Sequence, residues 1–169
     1  MTEQIITQAQ LKEYIHYSPL TGVFTRISSP YEAKLGVINS CANHSNGYFQ
    51  IGISGKLYKA HRLAWMYMHG EWPKDQIDHI NRDKIDNRID NLREASSAQN
   101  NQNVGLRSDN ASGIKGVTYY KITGKWVAKI NISGKLKHIG YFKTLEEASQ
   151  AYESYAKQHH GEFYYKNVA

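Results

Sequence analysis

The stretch Ile77–Asn103, IDHINRDKIDNRIDNLREASSAQNNQN, sets an Asp directly beside a His, follows them with a loop crowded with Asn, Asp and Arg, and closes on a polar segment. Adjacent side chains on a regular strand point to opposite faces. Asp78 and His79 therefore share one site only if the strand ends or bends there, and Asn81 just beyond is consistent with that. A short helix follows from Ser96 to Asn103, with Ser96 or Ser97 as its cap. As composition alone the stretch stays ambiguous. Asx residues fill turns for their own backbone-bonding reasons, and a single Asp–His pair fits a polar surface turn.

Chemistry supplies the second reading. Hydrolysing a phosphodiester needs a base to take a proton from water, and histidine is the side chain whose ordinary pKa suits that task near neutrality. It also needs positive charge near the phosphate and the leaving oxygen, which a hard divalent ion on oxygen ligands provides. Asp78 and His79 supply one group of each kind. Asn100 on the following helix offers a second oxygen, and Asn91 can hold His79 in orientation through a hydrogen bond.

Upstream, Thr7 and Gln10 form a capping-box pattern opening a predicted helix over Thr7–Tyr17, with Leu11, Tyr14 and Ile15 as its apolar stripe. The turn Ser18-Pro19-Leu20-Thr21-Gly22 leads to a predicted strand, Val23–Ile27. Residues 28–46 read as loop, with one strand near Gly36–Asn39. A hairpin, Tyr48–Ser54 and Lys56–Ala60, turns at Ser54-Gly55. A helix over His61–Met68 follows, ended by Gly70 and Pro73, with Ala64, Trp65 and Met68 expected in the core. His61 and Arg62 are expected to stabilise its start, Arg62 reaching a phosphate being the alternative.

Downstream, NVGLRSDNASG (Asn103–Gly113) has the small, polar composition of a linker. Three strands follow: Gly116–Tyr120, Trp126–Ile132 and Lys135–Phe142. In the second, Trp126, Ala128, Ile130 and Ile132 point one way, and Val127, Lys129 and Asn131 the other. Thr144 and Glu147 cap a helix to about Gln158, whose Leu145, Ala148, Tyr152 and Tyr155 face the sheet. Trp126, Tyr141, Phe142 and Tyr152 are expected core. The heptapeptides ISGKLYK and ISGKLKH (Ile53–Lys59 and Ile132–His138) read as two hairpins sharing one turn solution.

The 169 residues suffice for one domain or two small ones, and 40% hydrophobic content can build a core. No apolar run approaches the roughly 18 residues of a membrane span. MTEQIITQAQ lacks the regions of a secretory signal, so a cytoplasmic protein is expected. Cys41 is the only cysteine, which excludes an internal disulfide and a zinc site on paired thiolates; an inert thiol is expected there. Residues 1–103 carry 11 Lys and Arg against 10 Asp and Glu, whereas residues 104–169 carry 10 against 5. A basic module on a near-neutral body points to an anionic partner, nucleic acid first.

The run Ile77–Asn103 resembles the HNH endonuclease motif of phage and intron homing enzymes: Asp-His, a loop, Asn-Arg, Asn-Leu-Arg, then a helix with a terminal Asn or His. His79, Asn91 and Asn100 follow one another at spacings of 12 and 9. YKAHRLAWMYMHGEWP (Tyr58–Pro73) and YSPLTGVFT (Tyr17–Thr25) are also similar to phage members, so the resemblance covers most of residues 7–103. It implies a ββα-metal fold holding one divalent cation, Mg²⁺ or alternatively Mn²⁺. Asp78 and Asn100 would be the metal ligands and His79 the general base. Asn91 would orient His79 and tie the loop, and the products would be a 5′-phosphate and a 3′-hydroxyl. Asn100 stands where the family name implies a last His, as in many homing members.

Residues from Ser112 to Ala156 resemble the AP2 DNA-binding domain, through Gly116-Val117, Lys125-Trp126-Val127-Ala128, Gly134-Lys135, Ile139-Gly140-Tyr141-Phe142, Thr144-Leu145-Glu146-Glu147-Ala148 and Ala151-Tyr152. The resemblance implies that the open face of the three strands lies in the DNA major groove. By alternation that face carries Thr118, Tyr120, Lys125, Lys129, Asn131 and His138. The expected architecture is α+β: an HNH region over 1–103 with its ββα-metal core at about 73–103, a linker over 104–113, and an AP2-like three-stranded sheet plus helix over 114–169. The expected function is a divalent-metal-dependent homing-type DNA endonuclease, monomer or homodimer, acting on double-stranded DNA with no membrane or small-molecule partner. A non-catalytic DNA-binding protein on the same scaffold is the alternative, and an RNA-directed protein a third reading.

Overall fold

The computed structural model describes residues 6–29, 35–38, 47–106 and 108–164; Cys41, His44 and part of the 28–46 segment lie outside them. The chain is an α+β protein with small antiparallel sheets, and it separates into two compact units, Met1–Ala95 and Ser96–Ala169. Among the described residues no helix is long and apolar enough to cross a membrane.

In the first unit, α1 (Gln8–Tyr14) starts at Thr7 with the expected capping box to Gln10. It ends three residues earlier than the predicted helix, which runs to Tyr17. Ile15, His16 and Tyr17 form β1 instead (Ile15–Tyr17), with a buried–exposed–buried pattern. A period of two lets Ile15 and Tyr17 bury on one face, which a helical period would not. β1 pairs with β2 (Phe24–Arg26), and β2 with β3 (Gly36–Val37). β4 (Gln50–Ile53) and β5 (Lys56–Lys59) form the hairpin, turning through Ser54 and Gly55 at φ 48° and 79°. Two successive left-handed residues make the tight turn whose twist matches that of the flanking strands.

α2 (Ala60–His69) ends at Gly70 in the left-handed conformation. It buries Ala60, Leu63, Ala64 and Met66 against Leu11, Ile15, Tyr17, Phe24, Ile51 and Ile53, with Trp65 partly buried alongside. Met68, expected in the core, is 43% exposed in the last turn, and Met66 is the buried methionine. Arg62 donates to the carbonyls of Asp75 (3.2 Å) and Pro73 (3.4 Å), fixing the approach to the next strand. That strand, β6 (Gln76–His79), pairs antiparallel with β7 (Leu92–Ala95), placing Asp78 opposite Arg93 and His79 opposite Leu92.

The second unit opens with α3 (Ser97–Asn103), capped by Ser96 in a capping box with Gln99. The ammonium of Lys115 donates to the carbonyls of Asn101 (3.3 Å), Gln102 (2.8 Å) and Val104 (2.6 Å), meeting the acceptors that a helix end leaves unpaired. β8 (Val117–Tyr120), β9 (Lys125–Ile132) and β10 (Lys135–Phe142) form a sheet in the order β10-β9-β8. Its second hairpin turns at Ser133 and Gly134, φ 51° and 82°, repeating the Ser54-Gly55 solution. α4 (Leu145–His160), capped by Thr144 with Glu147, lays Ala148, Tyr152 and Ala156 over Val117, Ala128 and Ile130. Gly116 makes that packing possible. Its φ is 72°, and a Cβ there would run into the Tyr152 ring and the Lys129 carbonyl.

Tyr141 departs from the expected core. It is 55% exposed and pairs across the sheet with Val127, on the face that α4 leaves open. The register shifts between His138 and Gly140, so Ile139 is an extra residue in β10. One inserted residue flips every later side chain to the other face.

Candidate active site

β6 ends where the site begins. Ile77, Asp78 and His79 are all buried, and His79 is the last residue of the strand. A buried carboxylate requires a partner. Arg93 provides it across the strand pair, with Nε and Nη2 donating to Asp78 Oδ2 at 3.0 and 2.8 Å.

Beyond His79 the chain reverses through a loop in which Asx side chains do structural work. Asn81 Nδ2 donates to Asp86 Oδ2 at 2.7 Å. The backbone amides of Asp83 and Ile85 donate to Asn81 Oδ1 (2.8 Å) and Asp83 Oδ1 (3.1 Å). Asp86 lies against Arg88, whose hydrogen bonds hold its carboxyl down at about 2. Asn91, in a 3₁₀ turn over Ile89–Asn91, closes the loop: Oδ1 accepts from the Asn81 amide, and Nδ2 donates to Asn81 Oδ1 and the Asp86 carbonyl, all within 2.9 Å.

With its amide committed there, Asn91 does not make the expected hydrogen bond to His79. Asn87 faces His79 instead, Oδ1 lying 3.4 Å from His79 Nε2. Asn87 Nδ2 donates to the Ile85 carbonyl at 3.0 Å, which fixes the amide's orientation. An oxygen facing His79 selects the Nε2–H tautomer and leaves the lone pair on Nδ1. Asn87 was missed because its place in the sequence is that of one more loop Asx. The signal lies upstream, since Tyr17 Oη donates to the Asn87 carbonyl at 2.7 Å and the Ile89 amide donates to the Pro19 carbonyl at 3.1 Å. The turn at Gly22 also packs on this loop, and a Cβ at Gly22 would come within 2.8 Å of the Asn87–Arg88 backbone.

Around His79 stand His61 and Tyr48. The rings of His61 and His79 lie 5.0 Å apart and nearly perpendicular, and that of Tyr48 is 5.0 Å from His61 and 5.9 Å from His79. Burial pulls His61 down to about 3, aided by the charges of His79, Lys59 and Arg62. Burial also lowers His79, outweighing the Asn87 hydrogen bond and the nearby carboxylates that pull the other way. Both rings are neutral near pH 7. Lys59 and Lys84 each place an ammonium 4.8 Å from the Tyr48 ring, giving the neighbourhood exposed positive charge.

Among the described residues no group of three or more His, Cys, Asp and Glu forms a protein-only metal cage. Of the two residues expected as metal ligands, Asp78 lies on β6 in the first unit. Asn100 lies on α3, in the second unit. The six residues expected on the DNA face, Thr118, Tyr120, Lys125, Lys129, Asn131 and His138, are all exposed. Register places them on one side of the sheet, through the pairs Tyr120–Lys125 and Lys129–His138, with Thr118 opposite Val127 and Asn131 opposite Leu136.

Comparison with known proteins agrees with both halves of this arrangement. Residues 58–102 match the HNH endonuclease family, and residues 112–162 match the AP2 domain. Protein 3.8 of Escherichia phage T7 is 30% identical over 112 residues, spanning 64% of this chain and 92% of that protein. A protein described as an uncharacterized HNH endonuclease, L560 of Acanthamoeba polyphaga mimivirus, is 34% identical over 113 residues; the match spans 64% of this chain and 56% of that protein. No solved structure matches the chain significantly. The chain belongs to the HNH endonuclease family, with an AP2 domain following its HNH domain.

Proposed function

We propose that the protein is a homing-type DNA endonuclease that hydrolyses a phosphodiester bond with the help of one divalent cation. The observation that carries this reading is His79. It is a buried, neutral imidazole, held at Nε2 by Asn87 and set beside a buried carboxylate. Its Nδ1 takes a proton from the attacking water. The water oxygen forms a bond to phosphorus as the bond to the 3′ oxygen breaks and that oxygen takes a proton from solvent, leaving a 5′-phosphate and a 3′-hydroxyl. Asp78 and Asn100 would hold the cation, Mg²⁺ or Mn²⁺, which when bound offsets the negative charge of the phosphate and leaving oxygen. Arg93 holds Asp78 in orientation through an ion pair of 2.8 Å. The AP2 domain supports double-stranded DNA as substrate, its exposed face bringing the polynucleotide to the protein.

Supercoiled plasmid incubated with the protein and Mg²⁺ or Mn²⁺ should relax or linearise, should remain intact in EDTA, and should remain intact with His79→Ala. Equal gel shifts by both proteins with no relaxation by either, over plasmids carrying phage and host DNA, would instead establish a non-catalytic DNA-binding protein.

A further inference from the structure

The open face of the second unit's sheet sets apolar side chains beside basic ones. Across the strands, Thr118 pairs with Val127 and Val127 with Tyr141, while Asn131 pairs with Leu136. Tyr141 and Leu136 are 55% and 69% exposed on this face. Together with Tyr120 they line a groove of about 420 Å³ over Val127. The bulge at Ile139 is what turns Tyr141 into it. Lys125 lies beside Tyr120 at one end of the face and the Lys129–His138 pair lies between Tyr141 and Leu136, in a segment with 10 basic and 5 acidic residues, so the occupant is a polyanion.

A duplex offers one apolar group to a protein in its major groove, the thymine 5-methyl. Guanine is read by paired donors from Arg or Lys and adenine by Asn or Gln. This face has Leu136 and Tyr141, with Thr118 and the floor residue Val127, for the methyl, Asn131 opposite Leu136 for adenine, Lys129 between them, and no Arg.

We propose that this face selects A·T-rich duplex through thymine methyl groups received by Leu136 and Tyr141 over the floor residue Val127, its lysines serving the phosphates. The inference rests on the reading of double-stranded DNA as substrate, but its test needs no cleavage. Affinity for a pool of A·T-rich 30-base-pair duplexes would be measured in EDTA, against the same pool synthesised with deoxyuridine in place of thymidine, which removes only the methyls. A G·C-rich pool serves as third arm. Full-length protein should bind the thymidine pool more tightly, by about fourfold for each methyl received. Leu136→Ala and Tyr141→Ala should each reduce the thymidine-over-deoxyuridine preference by about fourfold, with thermal unfolding near that of the unaltered chain because both side chains are exposed. Equal affinity for the thymidine and deoxyuridine pools, or a preference for the G·C-rich pool, overturns the inference. Plasmid cleavage, measured separately, would still stand or fall on its own.

Discussion

Two asparagines four residues apart divide the work that the motif pattern assigns to one. Asn91 stitches the loop to itself, and Asn87 presents an oxygen to His79. Their substitutions should therefore fail differently. Asn87→Ala frees the His79 ring and its tautomer, so the rate constant for cleavage should fall by roughly 10- to 100-fold while DNA affinity holds. Asn91→Ala leaves the Asn81 amide and Asp86 carbonyl without partners and should lower unfolding free energy by about 2 kcal/mol. Single-turnover cleavage and urea unfolding on both variants separate the two; a matched pair of losses would mean that the assignments are not distinct. The histidines set a second expectation. Folded His61 titrates at about 3 and unfolded histidine at about 6.5, so between these values the unfolded chain binds the extra proton. Stability is then complete above about pH 6.5 and falls on acidification, by up to about 1.4 kcal/mol per pH unit from this residue. His79 and His160, both lowered by burial, act in the same direction. Urea unfolding at pH 7.5 and 5.5 should show the loss, and His61→Phe should lessen it. Equal stability of the unaltered chain at both values would contradict the assignment.

At the scale of elements, the turn Ser18–Gly22 belongs to the site although it carries no reacting group. Gly22 sits at φ 72° with its α-carbon hard against the loop that holds Asn87. Gly22→Ala adds a backbone strain and a collision with backbone atoms, so a stability loss of at least about 1 kcal/mol should accompany slower cleavage. Unfolding and cleavage measured on Gly22→Ala would show stability lost without rate if the turn merely supports the core. This is also where sequence reading reaches its limit. Capping boxes at Thr7 and Thr144, a serine cap at Ser96 or Ser97 and the two Ser-Gly turns are local chemistry, and each marks its element in the sequence; the structure places the third cap at Ser96. The end of α1 at Tyr14 is set by which neighbour Ile15 and Tyr17 bury against, and Tyr141 by one inserted residue in β10. Neither leaves a local trace. The pair Asp78–His79 was legible because the two are adjacent, whereas Asn87 and Arg93 reach them only through loop closure and strand register.

For the whole molecule, the charge is divided as the chemistry would be: a near-neutral segment with the candidate base, and a following segment with a net charge of +5. Attraction to DNA then comes chiefly from counterion release around the second, a contribution blind to sequence and steeply dependent on salt. If all five excess charges engage phosphates, log Kd against log salt should have a slope of about 4.5, by the rule of roughly 0.9 per phosphate on duplex DNA. Lys125 and Lys129 are both exposed on the sheet's open face. Removing them in Lys125→Gln/Lys129→Gln should reduce the slope by about 2 and weaken binding to all duplexes nearly equally. The His79→Ala protein should keep the original slope, since its lesion is in the other unit. Filter binding across 50 to 300 mM KCl on the three proteins tests this. An unchanged slope in the lysine variant would move the phosphate contacts off the sheet, leaving Lys59 and Lys84 beside Tyr48 as the cations next in line.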